Sequence, residues 1–242
     1  MTVLLLHSLA MSGELWQPLT EKLEPHARVV AMDARGHGKS TWDGTPFSVE
    51  DLADDAAQLI WSLGGGPVAV AGMSMGGCVA IALAGRRPEL VNRLVLADTT
   101  ADYGLGKEQA WADRAAKALG SREKQLGFQL DRWFSPGFLE REPAEAKRVA
   151  DVFLGTDSAA HAQACRALGA FDGTPLLSAI AADTLVVVGE NDQATPPAMA
   201  EALADGIAGA ELRILPDARH FSLFEAPGAL DLAAAHLLGE DR

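Results

Sequence analysis

Three residues in this chain have the types and the spacing to carry out nucleophilic chemistry together. Ser74 stands in Gly72-Met73-Ser74-Met75-Gly76, after an apolar run over 67–73 and before a helical pattern over 75–87. A serine hydroxyl is a weak nucleophile until a base takes its proton, and an imidazole, with an ordinary pKa of about 6.5, suits that task at neutral pH. His220 lies in the loop after the apolar run 211–215, and Asp192 in the loop after the run 184–189. A carboxylate on the far side of the imidazole would fix its tautomer and stabilise the imidazolium that forms. The chain order serine, acid, histidine is the one expected of a nucleophile carried on a strand-to-helix turn.

The two glycines around Ser74 fit such a turn. A serine lifted out of the sheet edge needs sharp, strained backbone angles, and side chains two residues to either side would collide with neighbouring chain. The turn also aims the N-terminus of the following helix at the reacting centre, which makes the Met75 N–H one candidate oxyanion donor. The other is expected from the loop after the first strand, Leu6-His7-Ser8-Leu9-Ala10-Met11, and is assigned to Leu9. His7 is expected to order that loop by hydrogen bonding. The competing reading of Ser74 is a serine that merely caps a helix.

Other residues compete for the remaining roles. His26 and His236 fall in or beside helices and read as surface or packing residues, and His161 falls in a helical stretch without a supporting motif. His37 belongs to Asp33-Ala-Arg-Gly-His-Gly-Lys-Ser40, a glycine-rich loop that lacks the spacing of a phosphate cradle and reads as structural. Among the acids, Glu190 and Asp217 flank the assigned loops. Asp98, at a strand end, is the alternative to Asp192 as partner of the histidine.

The elements that must position these residues are short apolar runs over 2–6, 28–33, 67–73, 93–98, 184–189 and 211–215. They are apolar almost throughout rather than alternating, as strands buried on both faces are. Helical patterns lie between them over about 13–24, 48–63, 75–87, 197–207 and 226–238. Strand and helix in alternation imply an α/β domain with a mostly parallel sheet of about six strands, covered on both sides. From 100 to 177 the alternation stops. Helical patterns over 108–119, 123–134, 143–154 and 159–168 are separated by Gly120, Ser135-Pro136-Gly137 and Gly155. The expected organisation is therefore a core over 1–99 and 178–242 with a helical lid, 100–177, over the C-terminal strand ends, where open α/β sheets bind ligands.

Composition narrows the partners. The chain has 242 residues, 48% hydrophobic, with 20 Lys and Arg against 33 Asp and Glu, a formal net charge of -13. Such a surface repels phosphate backbones and anionic membranes, which argues against nucleic acid as a partner. The opening Met1–Leu6 run lacks a basic flank and a cleavage site, so it is not read as a signal peptide, and no stretch approaches a membrane span. A cytoplasmic location is expected. Cys78 and Cys165 show no metal-ligand spacing and read as buried apolar residues. No metal or organic cofactor is implied, and oligomeric state is left open.

The chain resembles the 3-oxoadipate enol-lactonases of the α/β-hydrolase superfamily. The resemblance runs over nearly the whole length: Ser8-Leu9, Trp16, the 33–40 loop, Ser74-Met-Gly-Gly77, Arg132-Trp133-Phe134 with Pro136 and Phe138, Ala194-Thr-Pro-Pro197 and Glu225-Ala-Pro227. It implies the α/β-hydrolase fold, with Ser74, Asp192 and His220 as a triad and Leu9 and Met75 as oxyanion donors. It also implies that Ser8 and Trp133 line the substrate pocket, with Arg132 near a substrate carboxylate. The expected activity is hydrolysis of a small carboxylic ester or lactone through an acyl-enzyme, 3-oxoadipate enol-lactone being the substrate the resemblance suggests. The alternatives are a carbon–carbon bond hydrolase acting on diketone or ring-cleavage products, a cofactor-free perhydrolase, or, in another class, a non-catalytic small-molecule receptor on the same fold.

Overall fold

The computed structural model describes residues 1–240. Its first half runs β1 (Thr2–Leu6), a 3-10 turn (Gly13–Trp16), α1 (Gln17–Leu23), β2 (Arg28–Met32), α2 (Val49–Ser62), β3 (Val68–Met73), α3 (Met75–Arg86) and β4 (Val91–Ala97). Five helices follow without a strand: α4 (Lys107–Ala118), α5 (Arg122–Trp133), α6 (Pro136–Arg141), α7 (Pro143–Gly155) and α8 (Ser158–Ala170). The chain then returns through β5 (Asp183–Gly189), α9 (Pro197–Gly206), β6 (Glu211–Leu215), α10 (Ser222–Glu225) and α11 (Ala229–Leu238). Among the described residues, no helix is long and apolar enough to cross a membrane.

The six strands form one sheet in the order β2-β1-β3-β4-β5-β6, every pair parallel. Every residue of β3 is buried, as is nearly all of β1, whereas the edge strands β2 and β6 are only partly covered. This is the physical reason the central runs read as continuous apolar stretches. Helix α3 is buried from Met75 to Ala84 and packs on β3. The chain passes from β2 back across β1 to reach β3, so the crevice between the ends of β1 and β3 is the topological switch point of the sheet, the place such folds bind ligands. The loop after β1 and the turn after β3 flank that crevice.

Some elements differ from the sequence expectation. The stretch 13–24 is not one helix: Ser12 caps a 3-10 turn through Glu14 N–H (3.3 Å), and Pro18 then lies in the first turn of α1. Ser135-Pro136-Gly137 is not a spacer but the start of α6, with the Ser135 hydroxyl accepting from Phe138 N–H (3.3 Å) and Pro136 at the first helical position. The stretch from 226 opens with a turn at Gly228, in the left-handed region at φ 76°, before α11 begins.

The helical insertion between β4 and β5 is pinched at its base. Asp102 and Asp172 form an isolated antiparallel bridge, and Gly173 N–H donates to the Ala101 carbonyl (2.8 Å). The Lys107 ammonium binds both the Asp102 carboxylate and the Phe171 carbonyl. Beyond this neck, α4 packs on α8 and α5 on α7.

Candidate active site

Ser74 sits between β3 and α3 with φ 53° and ψ -114°, a backbone conformation that L side chains rarely adopt. The turn is stitched to the end of β4: Ser74 N–H donates to the Ala97 carbonyl (2.9 Å), and the Ser74 carbonyl accepts from the Thr99 hydroxyl (2.7 Å) and from Gly77 N–H (2.9 Å). A Cβ on Gly72 would overlap the Gly76 carbonyl, and one on Gly76 would overlap the Leu6 carbonyl. Both glycines are therefore required by close backbone approach.

The structure brings the three sequence-predicted groups together. Ser74 Oγ is 3.0 Å from His220 Nε2, and His220 Nδ1 is 2.8 Å from Asp192 Oδ2. Because an ionised carboxylate only accepts, Nδ1 carries the imidazole proton, and the Nε2 lone pair faces the Ser74 O–H. All three side chains are nearly inaccessible to solvent. Asp192 accepts three further bonds: Ala194 N–H (2.6 Å) and Thr195 N–H (3.1 Å) on Oδ1, and the Thr195 hydroxyl (2.8 Å) on Oδ2. Burial pushes this carboxyl up, but the electrostatic attraction and hydrogen bond of His220, with the Thr195 bonds, outweigh it and hold Asp192 below the usual carboxylate range. Thr195 is a partner that sequence reading reached only as part of a matching loop.

Asp98, the alternative acid, does not touch His220. Its carboxylate accepts from Gly189 N–H (3.1 Å), Ser222 N–H (3.0 Å) and the Ser222 hydroxyl (2.9 Å), clamping β5 to the segment that follows His220. Burial, and then the nearby Asp192 charge, raise it well above the ordinary range.

The loop after β1 is braced by the glycine-rich loop. His7 Nε2 accepts from Ala34 N–H (3.0 Å), while Nδ1 bonds the Ser8 carbonyl (2.8 Å). Asp33 accepts from Gly13 N–H (2.7 Å) and Lys39 N–H (2.8 Å). The Asp33–Ser40 segment is thus a scaffold for residues 7–13. The N–H groups of Leu9 and Met75 donate to no other group among the described residues.

A narrow cavity opens over Ser74. Ser8, Leu9, Thr195 and His220 form its floor side, and Trp133, Arg132, Gln129, Arg114, Tyr103 and His161 from the insertion face them. Trp133 is wedged between Phe221, stacked at 5.1 Å and 11°, and Phe153, edge-on at 5.4 Å. Two guanidiniums here face a protein of strongly negative net charge. Arg114 lies 4.8 Å over the Trp111 ring, and neither Arg114 nor Arg132 forms an ion pair among the described residues. Arg132 Nε is buried without a hydrogen-bond partner. Burial, and then the neighbouring Arg114 charge, depress Arg132 to about 10. Arg114, Gln129 and Tyr103 escaped sequence reading because only packing of α4 and α5 over the sheet brings them to this cavity.

His161 and His37 are both buried, and burial drives each down to about 3, helped by Arg122 for His161 and by His7 for His37. The unfolded chain binds protons at these positions below about pH 6.5, whereas the folded chain does not until about pH 3. Their contribution to stability is therefore present above pH 6.5 and lost as pH falls toward 3, by up to about 1.4 kcal/mol per pH unit for each group. Asp98 acts with the opposite sign, so the informative comparison is with His161→Gln. Thermal midpoints measured from pH 7 to pH 5 are expected to fall less steeply in that variant than in the parent. Equal slopes would mean that His161 is not buried as the neutral base.

The comparisons with known proteins agree with this architecture. A family model described as the alpha/beta hydrolase fold matches residues 2–227. The chain is 31% identical over 231 residues to 3-oxoadipate enol-lactonase 2 of Acinetobacter baylyi, covering 94% of this chain and 84% of that one. Among solved structures, an enol-lactonase from Burkholderia xenovorans superposes with a TM-score of 0.92 at 34% identity, over 99% of this chain and 91% of that one. A thermophilic esterase from Thermogutta terrifontis, with malate bound, superposes at 0.90 with 28% identity, over 99% and 89%. With an all-parallel six-stranded sheet, a strained serine turn between β3 and α3, and relatives that match it over nearly its whole length, the chain belongs to the α/β-hydrolase-fold family.

Proposed function

We propose that this hydrolase cleaves a small carboxylic ester or lactone through an acyl-enzyme, with Ser74 as nucleophile, His220 as general base and acid, and Asp192 as its orienting carboxylate. The observation that carries the reading is the continuous hydrogen-bonded relay from Ser74 Oγ through the His220 ring to Asp192 (3.0 and 2.8 Å). Ser74 Oγ attacks the carbonyl carbon as its proton passes to Nε2, and the carbonyl oxygen becomes an oxyanion received by the N–H groups of Leu9 and Met75. The imidazolium then returns the proton to the departing alkoxide. Water, deprotonated by His220, attacks the acyl carbon, and the serine leaves with the proton. In a lactone the departing alkoxide stays attached to the acyl chain, so the second step releases acid and alcohol as one molecule.

The insertion α4–α8 acts as the lid over this chemistry, and Ser8, Trp133 and Arg132 contact the substrate. Arg132, unpaired at the cavity wall beside Arg114, suits an acyl or leaving group that ends in a carboxylate. The resemblance to enol-lactonases, and the malate held by one similar esterase, favour the same chemistry. The substrate is a small molecule met in the cytoplasm, and no step needs a cofactor.

The test is a panel of neutral p-nitrophenyl esters, lactones, a β-diketone and 3-oxoadipate enol-lactone. Turnover of the enol-lactone ahead of the neutral esters is the expected outcome. Cleavage of the diketone alone would reassign the reaction to a carbon–carbon bond, and a single equivalent of product followed by silence would make the protein a receptor. Arg132→Met is expected to raise KM for the anionic substrate by about tenfold to a hundredfold, the worth of a charged hydrogen bond, while leaving neutral esters nearly unaffected. Equal losses on both substrates would remove Arg132 from carboxylate recognition.

A further inference from the structure

The loop that carries His220 is fastened to the insertion at several points. The Glu225 carboxylate, only 6% exposed, spends one oxygen on Ser135 N–H (2.9 Å) and the other on Arg219 N–H (2.8 Å). Ser135 lies between α5 and α6 of the insertion, and Arg219 is the residue before His220. Phe221 N–H, on the other side of His220, donates to the Trp133 carbonyl (3.0 Å). The Arg219 guanidinium closes the zipper on the Asp131 carboxylate (2.7 Å) and on the carbonyl of the same residue. The Phe221 ring, stacked on Trp133, is also 5.8 Å from the His220 ring.

A buried carboxylate that forms no ion pair among the described residues is a poor stabilising device, because its desolvation is offset only by the bonds it accepts. What Glu225 does gain is geometry: one rigid group fixes two backbone segments, at Ser135 and at Arg219, that lie far apart in the chain. The sheet-side clamp, Asp98 on Ser222, holds the opposite flank of the same loop. His220 is thus suspended between an anchor in the core and an anchor in the insertion.

We infer that Glu225 is a positioning residue that makes the placement of His220 against Ser74 depend on the placement of the helical insertion, by bridging Ser135 N–H and Arg219 N–H. The inference rests on the reading of His220 as the base. Its consequence is that a displacement of Trp133 and the insertion also draws His220 away, so that the base is in register only when the cavity is closed. Water admitted to an open cavity then meets a serine without an aligned base.

Two substitutions at Ser135 separate this bridge from ordinary folding. Ser135 has φ -68° and is preceded by Phe134 in extended conformation, so proline fits its backbone while deleting the N–H that Glu225 accepts. Ser135→Pro also loses the hydroxyl that caps α6. Ser135→Ala loses that hydroxyl alone and keeps the N–H. Glu225→Gln independently turns one acceptor into an amide NH₂ facing an N–H. Each variant is titrated with a fluorophosphonate to count reactive Ser74, and kcat and KM for p-nitrophenyl acetate are expressed per labelled site, which removes any loss of folded protein.

The expected result is a fall in kcat of about tenfold or more in Ser135→Pro and Glu225→Gln, the scale of a small misplacement of a catalytic group, with little change in KM. Ser135→Ala should stay within about twofold of the parent, because its capping hydroxyl does not touch the bridge. Equal per-site rates in the proline and alanine variants would overturn the inference, and if Glu225→Gln does not fold, that pair decides alone. Loss of fold in both Ser135→Pro and Glu225→Gln would make the bridge a folding element and overturn it as well. A parent protein that is not labelled at Ser74 would mark a different failure, that of the hydrolase reading itself.

Discussion

Ser74→Ala is expected to lower kcat for ester or lactone hydrolysis by about 10⁶-fold, because members of a nucleophile–base–acid unit act together and the loss of the nucleophile removes the covalent route entirely. The side chain makes one hydrogen bond, to His220 Nε2, whereas the bonds that hold the turn come from the Ser74 backbone. Alanine therefore keeps the turn, and the same φ of 53° that strains serine strains alanine equally. The thermal midpoint should be nearly unchanged and substrate binding retained, so KM or an inhibition constant should move far less than kcat. A variant with more than about one per cent of parental kcat would mean that another group attacks the carbonyl.

Asp192→Asn is expected to cost about 10⁴-fold in kcat at neutral pH. The reason lies in the donors around the carboxylate. Oδ1 already receives Ala194 N–H and Thr195 N–H, so an amide must keep its carbonyl oxygen there and turn its NH₂ toward His220 Nδ1. A donor at that position forces the imidazole proton onto Nε2, where it meets the Ser74 hydroxyl with no lone pair to accept the proton. The fold is preserved and the tautomer is wrong. Steady-state kinetics of this variant beside Asp98→Asn discriminate the two acids. Because Asp98 binds Gly189 and Ser222 and not the imidazole, its substitution should lower stability with a much smaller effect on kcat. The reverse pattern would transfer the orienting role to Asp98.

The sequence carried the convergence of Ser74, His220 and Asp192 more fully than the surroundings of that site. Ser74 was legible because its flanking glycines belong to one short motif, although only Gly72 answers a demand within the turn, the Gly76 carbonyl, while Gly76 answers the approach of the Leu6 carbonyl from β1. Asp192 and His220 were legible because each follows a strand whose apolar run marks where the sheet ends. The six-stranded parallel sheet followed from burial on both faces, which leaves a continuous apolar signature in β3 and β5. The cavity wall was not legible. Arg114, Gln129 and His161 converge only because α4, α5 and α8 fold back over the strand ends, and nothing local distinguishes them from solvated helical residues. The Glu225 bridge to Ser135 was invisible for the same reason, since its donor and acceptor share no local pattern. The start of α6 was misread because Ser-Pro-Gly signals both a turn and a capped helix start, and the Ser135 cap decides between them.

The most direct test of the central claim is mass spectrometry of the parent protein after treatment with a fluorophosphonate, which reacts preferentially with a serine that a neighbouring base has activated. The predicted result is one adduct per chain, on the peptide carrying Ser74, absent from Ser74→Ala and strongly slowed in Asp192→Asn. An adduct on another residue, or one that persists in Ser74→Ala, would contradict the assignment of Ser74 as the nucleophile.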